Sequence, residues 1–204
     1  MTGIANKLIV GTIATGALGG GAYGVYALTD TTDSIENYLK KNNLDIVSQD
    51  ATSETAWNKA FGTYEIEKEE DDLKITDKEI KNRDDIKKWC NNTLRKKIKS
   101  TENSLYKKAS YWCTKYQTIS EKLGNDKPFE TNVATLEGKH AQLGVFKNTI
   151  ESITLRKTKQ ENQNGEKMKQ WCDDNKKRKF NKRNKSFIDN ITSHCLVKAT
   201  TISV

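Results

Sequence analysis

The chain is expected to be mainly α-helical, with an N-terminal transmembrane helix followed by two tandem helical repeats, each holding a disulfide-linked antiparallel helical hairpin. Three observations carry that expectation. Ile86-Lys87-Lys88-Trp89-Cys90 returns 82 positions later as Met168-Lys169-Gln170-Trp171-Cys172, and in both copies the next cysteine follows 23 residues on, at Cys113 and Cys195. Apolar residues in these copies recur at steps of four, the spacing that keeps side chains on one helix face. A stretch of 21 uncharged residues, Leu8 to Leu28, precedes both copies.

Residues 1–29 read as an anchor or signal segment. About 20 apolar residues suffice to span a bilayer. Lys7 lies before the stretch and Asp30, Asp33 and Glu36 after it, so the positive-inside tendency places the N-terminus in the cytoplasm and the rest of the chain outside. Tyr23 and Tyr26 fall near the outer interface. Val25-Tyr26-Ala27 offers a small-x-small site for signal cleavage as an alternative. Six glycines lie in the stretch, with Gly16/Gly20 and Gly20/Gly24 at the spacing that permits close helix pairing. Either export route delivers the rest of the chain to an oxidising side.

The first repeat is placed at residues 30–117. Ile35 and Leu39 begin it, and Trp57, Phe61 and Tyr64 follow at helical spacing. Cys90, Leu94 and Ile98 then step by four, as do Leu105, Ala109 and Cys113. Folding the chain back between Thr101 and Glu102 sets Ile98 against Leu105, Leu94 against Ala109 and Cys90 against Cys113. This predicts a hairpin whose turn is Ser100-Thr101-Glu102-Asn103, a polar loop of cap-forming residues.

The second repeat is placed at residues 118–204. Ile119 and Leu123 match Ile35 and Leu39, and His140, Leu143 and Phe146 stand where Trp57, Phe61 and Tyr64 stood. Cys172, Lys176 and Phe180 are expected to face Phe187, Ile191 and Cys195 about Arg183-Asn184. Lys176 breaks the apolar stripe. Over the 28 aligned positions six residues are identical, while the apolar positions agree at 86/168, 98/180, 105/187, 106/188 and 109/191. That is the pattern of an old duplication kept by core requirements. The C-terminal Thr201-Ile202-Ser203 echoes Thr118-Ile119-Ser120, as if a third unit had begun.

Three roles are open to Cys90, Cys113, Cys172 and Cys195: two disulfides, one zinc site, or reduced core thiols. Zinc sites usually pair ligands as C-x2-C, and that spacing does not occur here. An oxidising compartment and equal separations favour Cys90–Cys113 and Cys172–Cys195. Each bridge closes a loop of about 24 residues, for which the chain-entropy estimate is about 3 kcal/mol.

Catalytic patterns are sparse. No phosphate-binding G-x4-G-K-[ST], nucleophile-elbow G-x-S-x-G or zinc-binding H-E-x-x-H occurs. His140 and His194 are the two histidines; the first reads as a packing residue and the second as a cap of its hairpin. Neighbouring acids such as Asp71/Asp72, Asp84/Asp85 and Asp173/Asp174 would point about 100° apart on a helix. No enzyme, cofactor or metal site is expected.

Charge is uneven. Residues 29–118 carry 17 acidic and 17 basic residues, whereas 119–204 carry 10 and 17. The excess gathers in Lys176, Lys177, Arg178, Lys179, Lys182, Arg183 and Lys185, seven bases in ten positions. Such a cluster can bind nucleic acid, anionic lipid or acidic glycans. It also resembles a solvated loop in a lysine-rich chain.

The glycine-rich anchor, the Thr118-Ile119-Ser120-x-x-Leu123 start, the Trp57-x3-Phe61-x2-Tyr64 run and the Trp-Cys…Cys hairpins together resemble the paralogous families of uncharacterised membrane-anchored proteins in haemotropic mycoplasmas. The resemblance implies a surface protein of a wall-less bacterium living on red blood cells, with roles in host contact or antigenic diversity. It assigns no functional residues. The expected protein is therefore a single-pass cell-membrane protein, its C-terminal region extracellular and its membrane contact made by residues 8–28. It would serve as a host-facing binding or antigenic module for a host-cell surface protein or glycan. The alternative is a nucleic-acid- or polyanion-binding surface protein using 176–185.

Overall fold

Ser34 opens the first helix: its hydroxyl accepts from the Asn37 amide and caps α1 (Ile35–Lys41). The computed structural model describes residues 32–70, 72–124, 127–157 and 161–197. The Leu8–Leu28 stretch and the 199–204 echo lie outside the described residues. Among those described, no helix is long and apolar enough to cross a membrane.

Before α1 comes β1 (Asp33–Ser34), and after it a 3-10 turn at Ala51–Ser53 leads into α2 (Glu54–Glu67). α3 (Arg83–Leu94) starts on Asn82, whose carboxamide oxygen accepts from the Asp84 and Asp85 amides. β2 (Lys97–Ile98) follows, then α4 (Ser104–Trp112), capped by Asn103. The cap-forming role read for the 100–103 loop is thus filled by Asn103. Ile35, Leu39, Trp57, Tyr64, Ile86, Trp89, Ala109 and Trp112 bury into one cluster with Cys90 and Cys113. Fully buried aliphatics such as Ile35, Leu39 and Ile86 each contribute about 1.5–3 kcal/mol. Cys90 and Cys113 are disulfide-bonded, with their Cα atoms 5.5 Å apart.

The second half opens on α5 (Ile119–Leu123), where Thr118 and Glu121 form a reciprocal capping box. α6 (Val133–His140), α7 (Phe146–Glu151), α8 (Gln163–Asn175) and α9 (Lys185–Asn190) follow. A 3-10 turn at Lys182–Asn184 precedes α9, and a π-helical turn at Ile191–Cys195 extends it. Ile119, Leu136, Phe146, Ile150, Met168, Trp171 and Ile191 form a second cluster with Cys172 and Cys195, which are bridged with Cα atoms 5.7 Å apart. α6 and α8 approach closely at Gly165, where a Cβ atom would lie 2.3 Å from the Val133 carbonyl oxygen.

The predicted hairpins need correction at their tips. Helix ends at Leu94 and Asn175, not at Ile98 and Phe180. The following residues are claimed by β pairing: Ser34 lies opposite Lys97 and Asp33 opposite Ile98, while Thr118 bridges Lys179. Ile98 still reaches the core, but Phe180 is 38% exposed and does not complete an apolar stripe toward Phe187. Lys176 stands just past the end of α8, where its ammonium pairs with Asp173 at 2.6 Å. A second correction concerns His140, Leu143 and Phe146. All three are buried, yet they do not share one helix, because Gly144 at φ +55° turns the chain between α6 and α7.

Several backbone contacts of the first half recur in the second. The Ile35 amide donates to the Lys96 carbonyl, and the Ile119 amide to the Arg178 carbonyl. Ile46 bridges Thr114 and Phe129 bridges Leu196. Val47 donates to Cys113, and Glu130 to Cys195. The acceptor or bridge partner moves by 82 positions in each case, the interval that separates the cysteines.

Candidate functional site

The structure disperses the basic segment 176–185. Lys177 and Lys182 are exposed. Lys185 is also exposed and pairs with Asp189 at 2.6 Å. Lys176 is held by Asp173 and lies 5.3 Å from the Phe129 ring centre. The Arg183 guanidinium sits 5.6 Å from the Tyr111 ring centre. Arg178 and Lys179 are only 6% exposed. The polyanion patch read from the sequence therefore loses two of its seven cations to the interior, and no single basic face gathers all seven.

What Arg178 and Lys179 build is a buried polar seam between the two halves. After α8 ends, a turn at 176–177 brings the chain beside 117–120: the Phe180 amide donates to the Gln117 carbonyl and the Ser120 amide to the Lys176 carbonyl. That path carries residues 178 and 179 onto the C-terminal turn of α2 and the end of α4. Arg178 donates through Nε to Asn175 Oδ1 at 2.6 Å and through Nη1 to Glu70 Oε1 at 2.6 Å. Its guanidinium carbon lies 3.7 Å from the centre of the Phe187 ring. A guanidinium held over a ring while it makes a charge-assisted hydrogen bond is a role that suits arginine better than lysine.

Glu67, 1% exposed, occupies the centre. Its carboxyl accepts from the Tyr111 hydroxyl at 2.6 Å, the Asn184 carboxamide at 2.8 Å and the Lys179 amide at 3.2 Å. Burial raises its pKa above the ordinary carboxylate value; the Tyr111 and Asn184 hydrogen bonds and the Arg178 charge act in the other direction. The Lys179 ammonium donates to the Tyr111 carbonyl and lies 4.2 Å from the centres of both the Tyr111 and Tyr116 rings. Burial pulls its pKa down to about 7 against the charge of Glu67, which favours the ammonium. Burial likewise pushes the Tyr111 and Tyr116 phenols up. The Tyr116 hydroxyl donates to Thr63, whose hydroxyl in turn donates to the Lys177 carbonyl at 2.8 Å. Lys59 adds an ion pair to Glu121 at 3.0 Å.

Glu67, Tyr111, Tyr116, Thr63 and Asn184 are thus the members that sequence reasoning missed. Nothing local marks Glu67 as buried, because its cationic partner Arg178 lies more than a hundred residues away. The sequence held one faint signal: a glutamate on the same helical stripe as Tyr64 and Ala60, at steps of three and four. An open groove of about 550 Å³ borders the seam, with Gly62, Ile66, Arg156, Asp174 and Lys177 among its walls. The Arg156 guanidinium pairs with Asp174 there.

Elsewhere the reactive side chains are committed. All four cysteines are in disulfides and none is free. His194 stacks on Phe146 with centres 5.3 Å apart, and burial followed by the Lys139 charge lowers its pKa. His140, 8% exposed, is 3.7 Å from a Glu151 oxygen. Among the described residues no three His, Cys, Asp or Glu side chains gather as a metal site. The seam's amine, carboxyl and phenols are enclosed, so what the arrangement does best is fix the two halves in register through hydrogen bonds of defined geometry. Comparison with known proteins finds no matching family model, no matching curated protein and no matching solved structure.

Proposed function

We propose that this chain is a membrane-anchored surface protein, held by residues 8–28, whose two disulfide-stapled helical units present a non-enzymatic, host-facing binding or antigenic module. The observation that carries the reading is the cysteine usage: every cysteine is oxidised, in two bridges of equal span. Disulfides persist in oxidising compartments, and a small exported protein gains most from them. The uncharged 8–28 stretch and the resemblance to the surface families of haemotropic mycoplasmas support the same conclusion.

Residues 30–117 and 118–204 are proposed as two copies of one unit. The support is the recurrence of the cystines at 82 positions, and of the β bridges and the backbone bonds at Lys96/Arg178 and Cys113/Cys195 with one partner 82 and the other 83 or 84 positions on. The test of the surface reading is protease treatment of intact cells, read with an antibody to the C-terminal half. Digestion is expected. Protection equal to that of an intracellular control, with a known surface protein cut in the same sample, would sink the proposal.

A further inference from the structure

We propose that the groove between α2 and the chain leaving α8 is a binding site for a small hydrophilic phosphate monoester, held by Arg178 and Lys177. The site is built from the described residues alone and does not depend on the anchor.

Two cations face this open groove of about 550 Å³ with free donors. Arg178 is fixed from three sides: Nε donates to Asn175, Nη1 donates to Glu70, and the guanidinium carbon lies over the Phe187 ring. Its remaining nitrogen, Nη2, bonds to no described residue. Nor is it sealed in. The enclosed side-chain atoms that lack a partner belong to Thr93, His140 and Asn184, and Arg178 is one of the groove's walls. A guanidinium that is only 6% exposed thus presents one N–H edge to the groove from a rigid seat. Lys177 is exposed, and among the described residues its ammonium has no hydrogen-bond or ion-pair partner. Its carbonyl accepts from the Thr63 hydroxyl at 2.8 Å, which pins the segment that carries both cations.

The carboxylates of the same walls are already met by other cations. Glu65 pairs with Lys68 at 2.9 Å, and Asp174 with the Arg156 guanidinium. The free donors then select the anion. With Nε and Nη1 occupied, Arg178 cannot offer the two parallel bonds that a planar carboxylate takes. A tetrahedral dianion accepts from separate directions, one oxygen toward Nη2 and another toward the Lys177 ammonium. Partial enclosure strengthens such bonds relative to those in open water. The volume is in the range of small-molecule sites. Ile66 is the one large apolar wall residue, which favours a hydroxyl-bearing body over an aromatic ring or an acyl chain.

The test is equilibrium dialysis of the full-length, disulfide-intact protein at neutral pH with β-glycerophosphate, and with glycerol and glycerate as probes that lack the phosphate. One equivalent of β-glycerophosphate is expected to bind, saturating at about 1 mM or below. Glycerol should not bind, and glycerate should bind about tenfold more weakly. Arg178 also holds the seam, so the variants leave it in place. Lys177→Gln changes an exposed side chain and should weaken binding about tenfold, while Lys182→Gln, exposed but outside the groove, should leave it unchanged. Gly62→Gln is expected to abolish binding, because a Cβ there meets nothing within 4 Å and a longer side chain fills the groove. Absence of saturable binding overturns the proposal. So does an equal effect of Lys177→Gln and Lys182→Gln, which would mean diffuse attraction to a basic surface. Glycerate binding as tightly as β-glycerophosphate overturns the choice of phosphate.

Discussion

Lys179 shows how one side chain can work against the structure that encloses it. Its ammonium is buried between two tyrosine rings, and its pKa is pulled from 10.5 to about 7. Between these values the unfolded chain binds the proton that the folded chain has released, so folding stability should rise with pH from about 7 toward about 10. Above that range the buried Tyr111 and Tyr116 hold their protons longer than unfolded phenols do, and the slope should reverse. Lys179→Met removes the group whose burial disfavours its charged form and is accordingly expected to flatten the slope of urea stability between neutral pH and pH 10. An unchanged slope in the variant would mean that another group carries the pH dependence.

The cystines act at the scale of elements. Each joins the body of a long helix, α3 or α8, to the end of the segment that returns beside it. Between the cysteines the chain leaves helical conformation to pair with the residues that open α1 or α5, so the bridge closes a helix–strand–helix loop rather than a continuous hairpin. Cys90→Ser/Cys113→Ser is expected to cost about 3 kcal/mol, as is Cys172→Ser/Cys195→Ser, each read by denaturant titration of the full chain. The first loss should fall on a cluster with two further tryptophans, Trp57 and Trp112, and the second on a smaller one. A cost near zero for either pair would show that helix packing alone closes that loop.

At the scale of the molecule, the described residues form two apolar clusters that stand apart, one drawn from residues 35–113 and the other from 119–195. Extensive packing between elements stays inside each half, and what crosses between them is mostly polar: Glu67, Glu70 and Thr63 on one side, Arg178, Lys179 and Asn184 on the other. Removing one partner from a buried charged network leaves the others uncompensated. Glu67→Ala is therefore expected to weaken the seam by about 3 kcal/mol or more. The Lys179 amide, which donates to Glu67, should then exchange hydrogen faster, while amides in the middle of α3 and α8 keep their protection. Equal acceleration in all three places would show that the halves unfold as one cooperative body.

Helical class and cysteine pairing were legible because both follow local rules. Steps of four put Cys90 and Leu94, or Met168 and Cys172, on one face whatever surrounds them, and equal cysteine separations mark corresponding loops. The sequence also held the cap residues, since Ser34, Asn82, Asn103 and Thr118 bond to amides two or three positions away. Tertiary structure decided where the helices stop. Ile98 and Phe180 continue the period of four, but strand partners that lie 65 and 61 positions upstream, Asp33 in the first half and Thr118 beside Lys179 in the second, claim their backbone instead. It also decided the fate of charge. Within a run of seven bases nothing local separates Lys179 from Lys182. Only the meeting of the 176–181 segment with α2 and α4 makes one a buried neighbour of Glu67 and leaves the other in water. Periodicity and capping are short-range and can be read from one strand of text; burial of a charge depends on partners that the chain brings together only when it folds.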